Sequence, residues 1–415
     1  YLEDLGVTAI YLNPIFEARS NHRYDTADFK AIDPILGDME TFQTLVAEAE
    51  ARGMVVILDG VFNHLSSDSL FFDRYNRFEG TEGACESLES PWRGLFLFTP
   101  PRANQPSPCV DTPNDETYYV SWAGFDSIPK INNTQLGPRE YFFLDEDSVA
   151  RLWGEAGIGG WRLDVAGDID PGGPDIIYWE AFRSIVRQVN PESVIIGEEW
   201  ADASRWLLGN EWDSTMNYRL RNGIIGFVRD EMFTDNDANG DRIIYALTPS
   251  ETDAIIRAIE EDYPPMAYHA LMNLLDSHDT TRLFFAVDND PQRQKLAALL
   301  QFTLPGAPTV YYGDEIAIDA PSIPDSGGNL QDDPYNRAPY PWPDTAGDFY
   351  PPPDEDMLAH YQQIAALRHA NPALREGAMI TLVTDDAAGV YAFLRVDAAA
   401  GNAALVVLNN SDSEQ

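Results

Sequence analysis

Short apolar runs alternate with longer, helix-patterned stretches along most of this chain. The runs lie at residues 7–12, 54–58, 160–165, 193–196, 214–216, 270–275 and 308–312. They are too apolar to keep one face in water, which is typical of strands buried on both faces of a parallel sheet. Helical sequence between such strands supplies the crossovers that a parallel sheet requires. The pattern therefore predicts an α/β fold.

The number of predicted strands narrows the architecture. Helical periodicity predicts helices at residues 39–52, 176–189 and 357–369, and residues 1–6 are typical of the last turns of another helix. The seven predicted strands are one short of the eight that close a TIM, or (β/α)8, barrel. We therefore expect a TIM barrel whose first strand lies upstream of Tyr1.

Two segments depart from this alternation of strands and helices. Residues 65–147 are dominated by Gly, Pro, Ser, Asp and aromatic residues, and their length predicts an inserted subdomain rather than a connection. Residues 379–409 alternate apolar and polar positions, as an antiparallel β domain does, and we expect that domain to be incomplete at Gln415. The predicted organisation is a barrel at residues 1–64 and 148–374, an inserted domain at 65–147, and a partial C-terminal β domain at 375–415.

The charge of the chain limits its partners. Sixty-eight acidic residues and 27 basic ones give a formal net charge of −41, and only three of the basic residues are lysines. Nucleic acids and anionic membranes are bound through basic surfaces, so we expect neither as a partner. No apolar run approaches the ~18 residues of a membrane span. No signal peptide opens the chain, but the chain begins inside an element, and we expect a secreted rather than a cytoplasmic protein.

The irregular segments carry the two cysteines and a candidate metal loop. Cys85 and Cys109 lie in residues 65–147 and form either a disulfide or two free thiols. A second irregular segment resembles the first half of a calcium loop, with the candidate ligands Asp235, Asp237, Asn239 and Asp241. Ala246 stands where such a loop has its bidentate Glu. The segment can be interpreted as a Ca²⁺ site or as an Asx-rich turn, so Ca²⁺ is a candidate cofactor.

Polar residues that can do chemistry follow four of the predicted strands. They are Asp59 with Asn63 and His64, Arg162 with Asp164, Glu198 with Glu199 and Trp200, and His278 with Asp279. Barrel enzymes hold their reactive groups at these C-terminal strand ends. Arg162 and Asp164 occupy alternate positions of one strand, so they share a face and the cation can keep the carboxylate ionised. One Arg-x-Asp is a common structural ion pair, but four such strand ends predict one polar site.

Four segments, in order, resemble the motifs of the alpha-amylase family of glycoside hydrolases. They are Asp59–His64, Gly160–Asp164, Gly197–Trp200 and Asp276–Asp279. The resemblance runs along the whole chain. It implies a (β/α)8 barrel with an inserted domain B after strand three, a C-terminal antiparallel β domain, an α-glucan substrate and no organic cofactor.

The resemblance implies roles for three carboxylates. Cleavage with retention needs two carboxyl groups ~5 Å apart, one ionised as nucleophile and one protonated as acid. Asp164, beside Arg162, is then the nucleophile and Glu198 the acid. Spacing does not decide whether Glu198 or Glu199 points inward, but the resemblance selects Glu198. Asp279 is the third carboxylate, which grips sugar hydroxyls.

The resemblance also implies a set of substrate-binding side chains. They are Tyr24, His64 and His278 at the cleavage point, Arg162 beside the nucleophile, Lys130 and Trp200 in the acceptor region, and Asp333 and Arg337 on the non-reducing side. Tyr24 would serve as a platform on which a pyranose ring stacks. A strand-end histidine is otherwise more often structural, so the roles of the two histidines depend on the motifs around them.

The subgroup is indicated by the end of the inserted segment. Ile128–Asn132 resembles the Met-Pro-Lys-Leu-Asn motif of neopullulanases, cyclomaltodextrinases and maltogenic amylases. After Asp164, the residues Val165–Asp168 depart from the Asn-Glu usual in neopullulanases, so α-1,4 preference, α-1,6 preference and both are open. The group uses an upstream β domain in dimerisation, which makes a homodimer an expected form.

We expect retaining hydrolysis of α-glucosidic bonds in starch, pullulan or cyclodextrins. A transglycosylase or an α-glucosidase of the same family is an alternative that would share Asp164 and Glu198. A non-catalytic glucan-binding protein is a further alternative, but it requires the loss of one of these two residues, and both are present.

The spread of acidic residues along the chain is typical of halophilic proteins and generates a first prediction. At a net charge of −41, added NaCl should raise the melting temperature, because screening relieves repulsion between surface carboxylates. Thermal unfolding followed by circular dichroism between low and molar NaCl checks this. A melting temperature that stays flat over that range would contradict it.

Overall fold

The computed structural model describes residues 1–99, 109, 118–170, 177–237, 240–319, 323–324, 330–331, 335–342, 352–411 and 413. Within these residues the helices, numbered α1 to α13 in chain order, are Leu2–Leu5, Met39–Glu50, Leu136–Arg139, Val149–Glu155, Ala166–Ile169, Tyr178–Val189, Tyr218–Val228, Pro249–Asp262, Pro265–Tyr268, Leu283–Ala286, Pro291–Thr303, Glu355–Ala370 and Pro372–Glu376. No helix in this described part is both long and apolar enough to cross a bilayer.

The strands in the described residues, numbered β1 to β18 in chain order, are Ala9–Leu12, Phe16–Ala18, Thr26–Ile32, Val55–Gly60, Phe98–Thr99, Tyr118–Tyr119, Gly160–Leu163, Val194–Gly197, Ser214–Thr215, Phe233–Asp237, Gly240–Ile244, Met272–Leu274, Ala307–Thr309, Ile323–Pro324, Leu330–Gln331, Ala378–Asp385, Val390–Asp397 and Asn402–Asn409. Each of the seven apolar runs overlaps one of them, so the strand predictions are confirmed, with ends that differ by up to three residues. The predicted helices correspond to α1, α2, α6 and α12.

The chain divides into two compact units. The N-terminal unit consists of Thr8–Glu199 and Leu208–Asp213. The C-terminal unit consists of Tyr1–Val7, Trp200–Leu207 and Ser214–Gln415.

The N-terminal unit is built on four parallel strands in the order β1, β4, β7, β8. The strands are in register, with Ala9 opposite Val55, and Gly160 opposite both Ile57 and Val194. All four residues of β7 are buried, as expected for a strand with neighbours on both sides and helices on its faces. Because parallel strands point the same way, their C-terminal ends meet at one edge, and this edge carries the polar motifs.

An aromatic core lies between this sheet and its helices. α6 buries Tyr178, Phe182 and Val186 at four-residue spacing, which places them on one helix face. Phe62, just after β4, packs 5.7 Å from Phe182 and 5.5 Å from Trp161 between ring centroids. These rings fix the strand ends against α6.

A hairpin that the sequence pattern does not predict occupies part of the segment after β1. β2 and β3 pair antiparallel there, with register shifts around Glu17. β2 is short and the pairing is irregular, so no clean alternation of apolar and polar residues marks the hairpin in the sequence. The buried side chains of Phe16 and Phe29, 5.5 Å apart between ring centroids, hold the hairpin.

The inserted segment has little regular structure in its described residues. β5 and β6 form a two-residue ladder, and single bridges join His64 to Lys130 and Phe96 to Ile131. Cys85 and Cys109 form a disulfide, with Cα atoms 5.3 Å apart. The structure therefore selects the disulfide of the two alternatives.

The C-terminal unit continues the parallel pattern. β12 pairs in parallel with β13, and Met216 forms a parallel bridge to Met272. Helices α11 and α12 bury Phe302, Tyr361 and Ile364 in one apolar cluster. β16, β17 and β18 form an antiparallel sheet, so the predicted C-terminal β domain is confirmed.

The close approach of β7 and β8 generates a stability prediction. A Cβ atom on Gly160 would lie 2.3 Å from the carbonyl oxygen of Val194. Gly160→Ala should therefore lower the free energy of unfolding by about 1–3 kcal/mol, because backbone must move. Gly94→Ala is the matched control, since no heavy atom lies within 4 Å of its added Cβ. Urea unfolding of both variants checks this, and equal midpoints would contradict it.

Candidate active site

The guanidinium of Arg162 lies at the centre of the polar strand ends of the N-terminal unit. Its Nη1 contacts Asp59 Oδ1 at 2.9 Å and Asp164 Oδ1 at 3.0 Å, and its Nη2 contacts Glu198 Oε2 at 2.9 Å. Arg162 is fully buried. Burial opposes its charge, but Asp59 and Glu198 outweigh that effect and raise its pKa well above the usual value. One cation therefore holds three carboxylates.

Strand register places the two expected catalytic carboxylates side by side. Leu163 of β7 is opposite Gly197 of β8, and Asp164 and Glu198 are the next residues. The amide of Glu198 donates to the carbonyl of Leu163 at 3.0 Å. Neighbouring strands lie ~4.8 Å apart, and both carboxylates turn to the same guanidinium. Glu198 is buried whereas Glu199 is partly exposed, so Glu198 is the one that faces Arg162.

The residue after Asp164 has an unusual backbone conformation. Val165 has φ 48° and ψ 38°, in the left-handed region, which is unfavourable for a β-branched side chain. Such strain persists where surrounding contacts enforce it. Here the conformation directs the Val165 amide to Glu198 Oε2, to which it donates at 2.9 Å.

Two tyrosines complete the surroundings of Asp59. The hydroxyls of Tyr11 and Tyr24 donate to its Oδ2 at 2.6 and 2.8 Å. Burial raises the pKa of Tyr11 well above its usual value, so it remains a donor at neutral pH. Asp59 therefore ties Tyr24, the expected sugar platform, to Arg162.

His64 is buried beside Tyr24. Its Nε2 lies 3.1 Å from the carbonyl oxygen of Tyr24, and its Nδ1 lies 3.2 Å from Asn63 Nδ2. The carbonyl oxygen of Tyr24 needs a donor, so Nε2 of His64 carries a hydrogen. The side-chain amide of Asn63 is itself a donor, so Nδ1 accepts from it, which makes His64 the neutral tautomer with hydrogen on Nε2. Burial lowers the pKa of His64 to about 3. A hydrogen bond from His64 to sugar stays a prediction.

Lys130 forms a separate polar pair in the N-terminal unit. Its Nζ lies 3.6 Å from Asp168 Oδ2 and 5.4 Å from the centroid of the Trp122 ring. The contact joins the end of the inserted segment to α5, which follows Asp164. A role for Lys130 in substrate binding stays a prediction.

The C-terminal unit brings together His278, Asp279 and Arg337. Asp279 accepts from His278 Nε2 at 2.9 Å and from Arg337 Nη2 at 3.1 Å. The neighbouring Asn336 donates to the carbonyl of His278 at 2.7 Å, which fixes the loop. Asp333 lies outside the described residues.

Behind this loop lies a buried acidic pair. Burial, and next to it the Asp276 carboxyl, raise the pKa of Asp314 well above its usual value. Burial also raises the pKa of Asp276. Arg282 Nη1 is 4.0 Å from Asp314 Oδ1, so a buried cation lies beside this pair.

Trp200 belongs to the C-terminal unit and contacts Tyr218 and Arg242. Its ring stacks on Tyr218 with centroids 3.7 Å apart, and the Arg242 guanidinium lies over it.

The comparison with known families agrees with this geometry. The family described as "Alpha amylase, catalytic domain" matches residues 1–377. The chain belongs to the alpha-amylase family. The fold class predicted from the sequence, a TIM barrel with a C-terminal β domain, is confirmed.

Several relatives carry names of the predicted subgroup. Neopullulanase 2 of Thermoactinomyces vulgaris is 36% identical over all of this chain, and amylopullulanase of Thermoanaerobacter thermohydrosulfuricus is 34% identical over all of it. The chain spans 61% and 28% of the lengths of these two proteins.

Solved structures of the family superpose on the chain. The debranching enzyme of Nostoc punctiforme has a TM-score of 0.81 and 31% identity, covering 100% of this chain and 77% of that one. The cyclic alpha-maltosyl-(1→6)-maltose hydrolase of Arthrobacter globiformis, in complex with that sugar, has a TM-score of 0.78 and 30% identity, covering 98% and 79%.

The expected calcium loop of this alpha-amylase family member is a hairpin, β10–β11. Asp235 is fully buried in it and accepts from Arg221 Nη1 at 2.7 Å, so that carboxylate is engaged by a cation. Asn239 lies outside the described residues, and the side chains of Asp237 and Asp241 do too. Among the described residues, no group of acidic, His or Cys side chains is arranged to hold a metal.

Some residues of this family site were missed in the sequence. Tyr11 lies in an apolar strand. Its hydroxyl could have indicated a role in the site, because a buried tyrosine hydroxyl needs a hydrogen-bond partner. Asn336 stands next to the predicted Arg337, and Asp314 follows β13, but nothing in the local sequence indicates that Asp314 faces Asp276. Those contacts depend on tertiary structure.

The low pKa of His64 generates a prediction on acid stability. Between pH 6.5 and about 3, the unfolded chain binds a proton at this residue and the folded chain does not. The free energy of unfolding should therefore fall as pH falls through this window, by up to about 1.4 kcal/mol per pH unit for this proton. His64→Gln should flatten the pH profile, and His22→Gln, at an exposed site, is the control. Equal profiles in urea unfolding would contradict the assignment.

Proposed function

We propose that the protein cleaves α-glucosidic bonds by double displacement with retention, with Asp164 as nucleophile and Glu198 as general acid. The observation that carries the proposal is their adjacency at the ends of β7 and β8, on one guanidinium. Retaining enzymes need carboxyl groups ~5–5.5 Å apart, whereas inverting enzymes need ~6.5–9.5 Å. Strand spacing of ~4.8 Å supports the retaining arrangement.

The charge of the cluster suits one acid and one nucleophile. Asp59, Asp164 and Glu198 together outnumber the single cation Arg162, so full ionisation would leave two negative charges uncompensated in a buried site. Such clusters retain a proton on one member. Asp59 accepts hydrogen bonds from two tyrosine hydroxyls and from Arg162. We assign the proton to Glu198, which would carry it toward the glycosidic oxygen.

We propose α-1,4 bonds of starch, pullulan or cyclodextrins as targets, with α-1,6 bonds as a further target. The names of the similar proteins support both, since they include a neopullulanase, a debranching enzyme and a hydrolase of a (1→6)-linked cyclic sugar. Asp279, with His278 and Arg337, would grip sugar hydroxyls. These hydrogen bonds would strengthen as the ring distorts in the transition state.

Three further expectations belong to this proposal, and a fourth, bound Ca²⁺, does not. Salt adaptation is supported by the net charge of −41. We also propose a homodimer and secretion, both from the sequence alone. For Ca²⁺, the engagement of Asp235 by Arg221 does not fit a calcium loop, so no step of the reaction is assigned to the ion.

The test is hydrolysis of pullulan, β-cyclodextrin and soluble starch by wild type, Asp164→Asn and Glu198→Gln. We expect both variants to lose at least about 10³-fold in kcat, because each removes a group that bonds or protonates the sugar. Proton NMR of the first product should show the α anomer.

Two matched variants distinguish the loss of a catalytic group from the loss of any nearby negative charge. Asp168→Asn and Glu199→Gln each remove one carboxylate a few residues away and should keep activity within about tenfold of wild type. A folded wild type with no activity on any of the three glucans, or equal activity in all variants, would overturn the proposal. A β-anomeric product would leave cleavage in place and overturn retention.

A further inference from the structure

Val165, the residue after Asp164, is held in its left-handed conformation from both sides. Before it, the Asp164 amide donates to the carbonyl of Gly60, at the end of β4, at 3.2 Å. After it, the carbonyl of Ala166 accepts from Trp179 Nε1 of α6 at 3.1 Å, and both of these residues are fully buried. The contacts thus enforce a backbone that is unfavourable for a β-branched residue.

The strained backbone gives Glu198 a hydrogen-bond donor. The Val165 amide donates to Glu198 Oε2 at 2.9 Å, and Arg162 Nη2 lies 2.9 Å from the same oxygen. Turning the peptide between Asp164 and Val165 over would return φ of Val165 to a negative value. It would also aim the carbonyl of Asp164, an acceptor, at the carboxyl group of Glu198. The strained conformation is therefore the one that presents a donor to this buried side chain.

We propose that Val165 is a positioning residue for the acid: its main-chain N–H stabilises Glu198 as that residue gives up its proton. The inference rests on the proposed function. In the first step, the proton of Glu198 passes to the glycosidic oxygen, the bond from C1 to that oxygen breaks, and a bond from C1 to Asp164 forms. Glu198 becomes a carboxylate, and a hydrogen bond to an ionised acceptor is about twice as strong as one to a neutral acceptor. The amide therefore stabilises the transition state more than the ground state.

This contribution depends on the leaving group of the substrate. A sugar oxygen must be protonated as it leaves, so cleavage of maltotriose requires the acid. Fluoride is stable as an anion and leaves α-maltosyl fluoride with little protonation. Both substrates yield the same maltosyl ester on Asp164 when maltotriose loses glucose, and kcat/KM reports the steps that lead to this ester. A donor to Glu198 should therefore matter for maltotriose and hardly for the fluoride.

The test replaces the Val165 amide with an ester. Incorporation of α-hydroxyvaline by nonsense suppression exchanges the N–H for oxygen and keeps the side chain. We expect kcat/KM for maltotriose to fall roughly 10- to 100-fold, the effect of one hydrogen bond to a charged group. The value for α-maltosyl fluoride should fall by less than about threefold.

Two further variants are matched to this one. The same ester at Val194 removes an amide that donates to the carbonyl of Gly159 at 2.9 Å. It loosens β8, the strand before Glu198, without removing a donor to the acid, and should change both substrates equally. Val165→Gly keeps the amide and adopts a positive φ without strain, so both kcat/KM values should stay within about threefold of wild type.

Two indole variants answer the question even if the ester protein does not fold. Trp179→Phe removes the donor to the Ala166 carbonyl and releases the turn at Val165. It should lower kcat/KM for maltotriose at least about fivefold more than that for the fluoride. Trp153→Phe is the control, because this fully buried indole donates to the carbonyl of Phe29 at 2.8 Å, and its loss should change both substrates equally.

The outcomes separate this inference from the proposed function. An unchanged kcat/KM for maltotriose in the Val165 ester, or an equal fall on both substrates, overturns the positioning role while cleavage stands. Where the ester does not fold, the same results in Trp179→Phe overturn it. A loss in Val165→Gly that is as selective as that of the ester also overturns it, since glycine keeps the donor.

The role of the acid is measured independently. Glu198→Gln should lose cleavage of maltotriose and keep most of its kcat/KM for the fluoride, whatever the Val165 variants show. A wild type that consumes neither maltotriose nor α-maltosyl fluoride overturns the proposed function and the positioning role together.

Discussion

The ends of the parallel strands in the N-terminal unit depend on one buried cation. Arg162 contacts the carboxylates of Asp59, Asp164 and Glu198, and it is fully buried. Three carboxylates cannot be brought together out of water without such a partner, because their repulsion is weakly screened there. The same contacts hold the carboxylates of Asp164 and Glu198 in place, so the stability of the strand ends and the geometry of the candidate site depend on one set of atoms.

The sequence was sufficient to predict those parts of the fold whose apolar residues follow a simple pattern. Buried parallel strands are continuous apolar runs, and helix α12 has a clear start and stop, so both were predictable. The hairpin β2–β3 was not, because β2 has only three residues and the register shifts where it pairs with β3, which leaves no regular alternation to detect. The disulfide between Cys85 and Cys109 stayed one of two alternatives, since pairing depends on the separation of Cα atoms in the folded chain.

The candidate site could be predicted where one short motif contains the reactive residues and fixes their relative positions. Arg162 and Asp164 share a strand face by spacing alone, and Glu198 follows the next strand. The left-handed conformation of Val165 was not predictable, because a β-branched residue gives no signal for it. Trp200 illustrates the same limit: its motif indicates a substrate-binding residue, but its ring contacts depend on Tyr218 and Arg242, which are distant in sequence.

The scarcity of basic residues explains how they are used. In a chain of net charge −41, Arg162, Arg221, Arg282 and Arg395 are among the largest fully buried side chains in the described residues. Arginine stays charged when buried and offers a planar set of donors, which lysine does not. Salt screens charges exposed to water and barely reaches buried pairs. The acidic surface can therefore respond to ionic strength while the contacts of Arg162, which organise the carboxylates, do not.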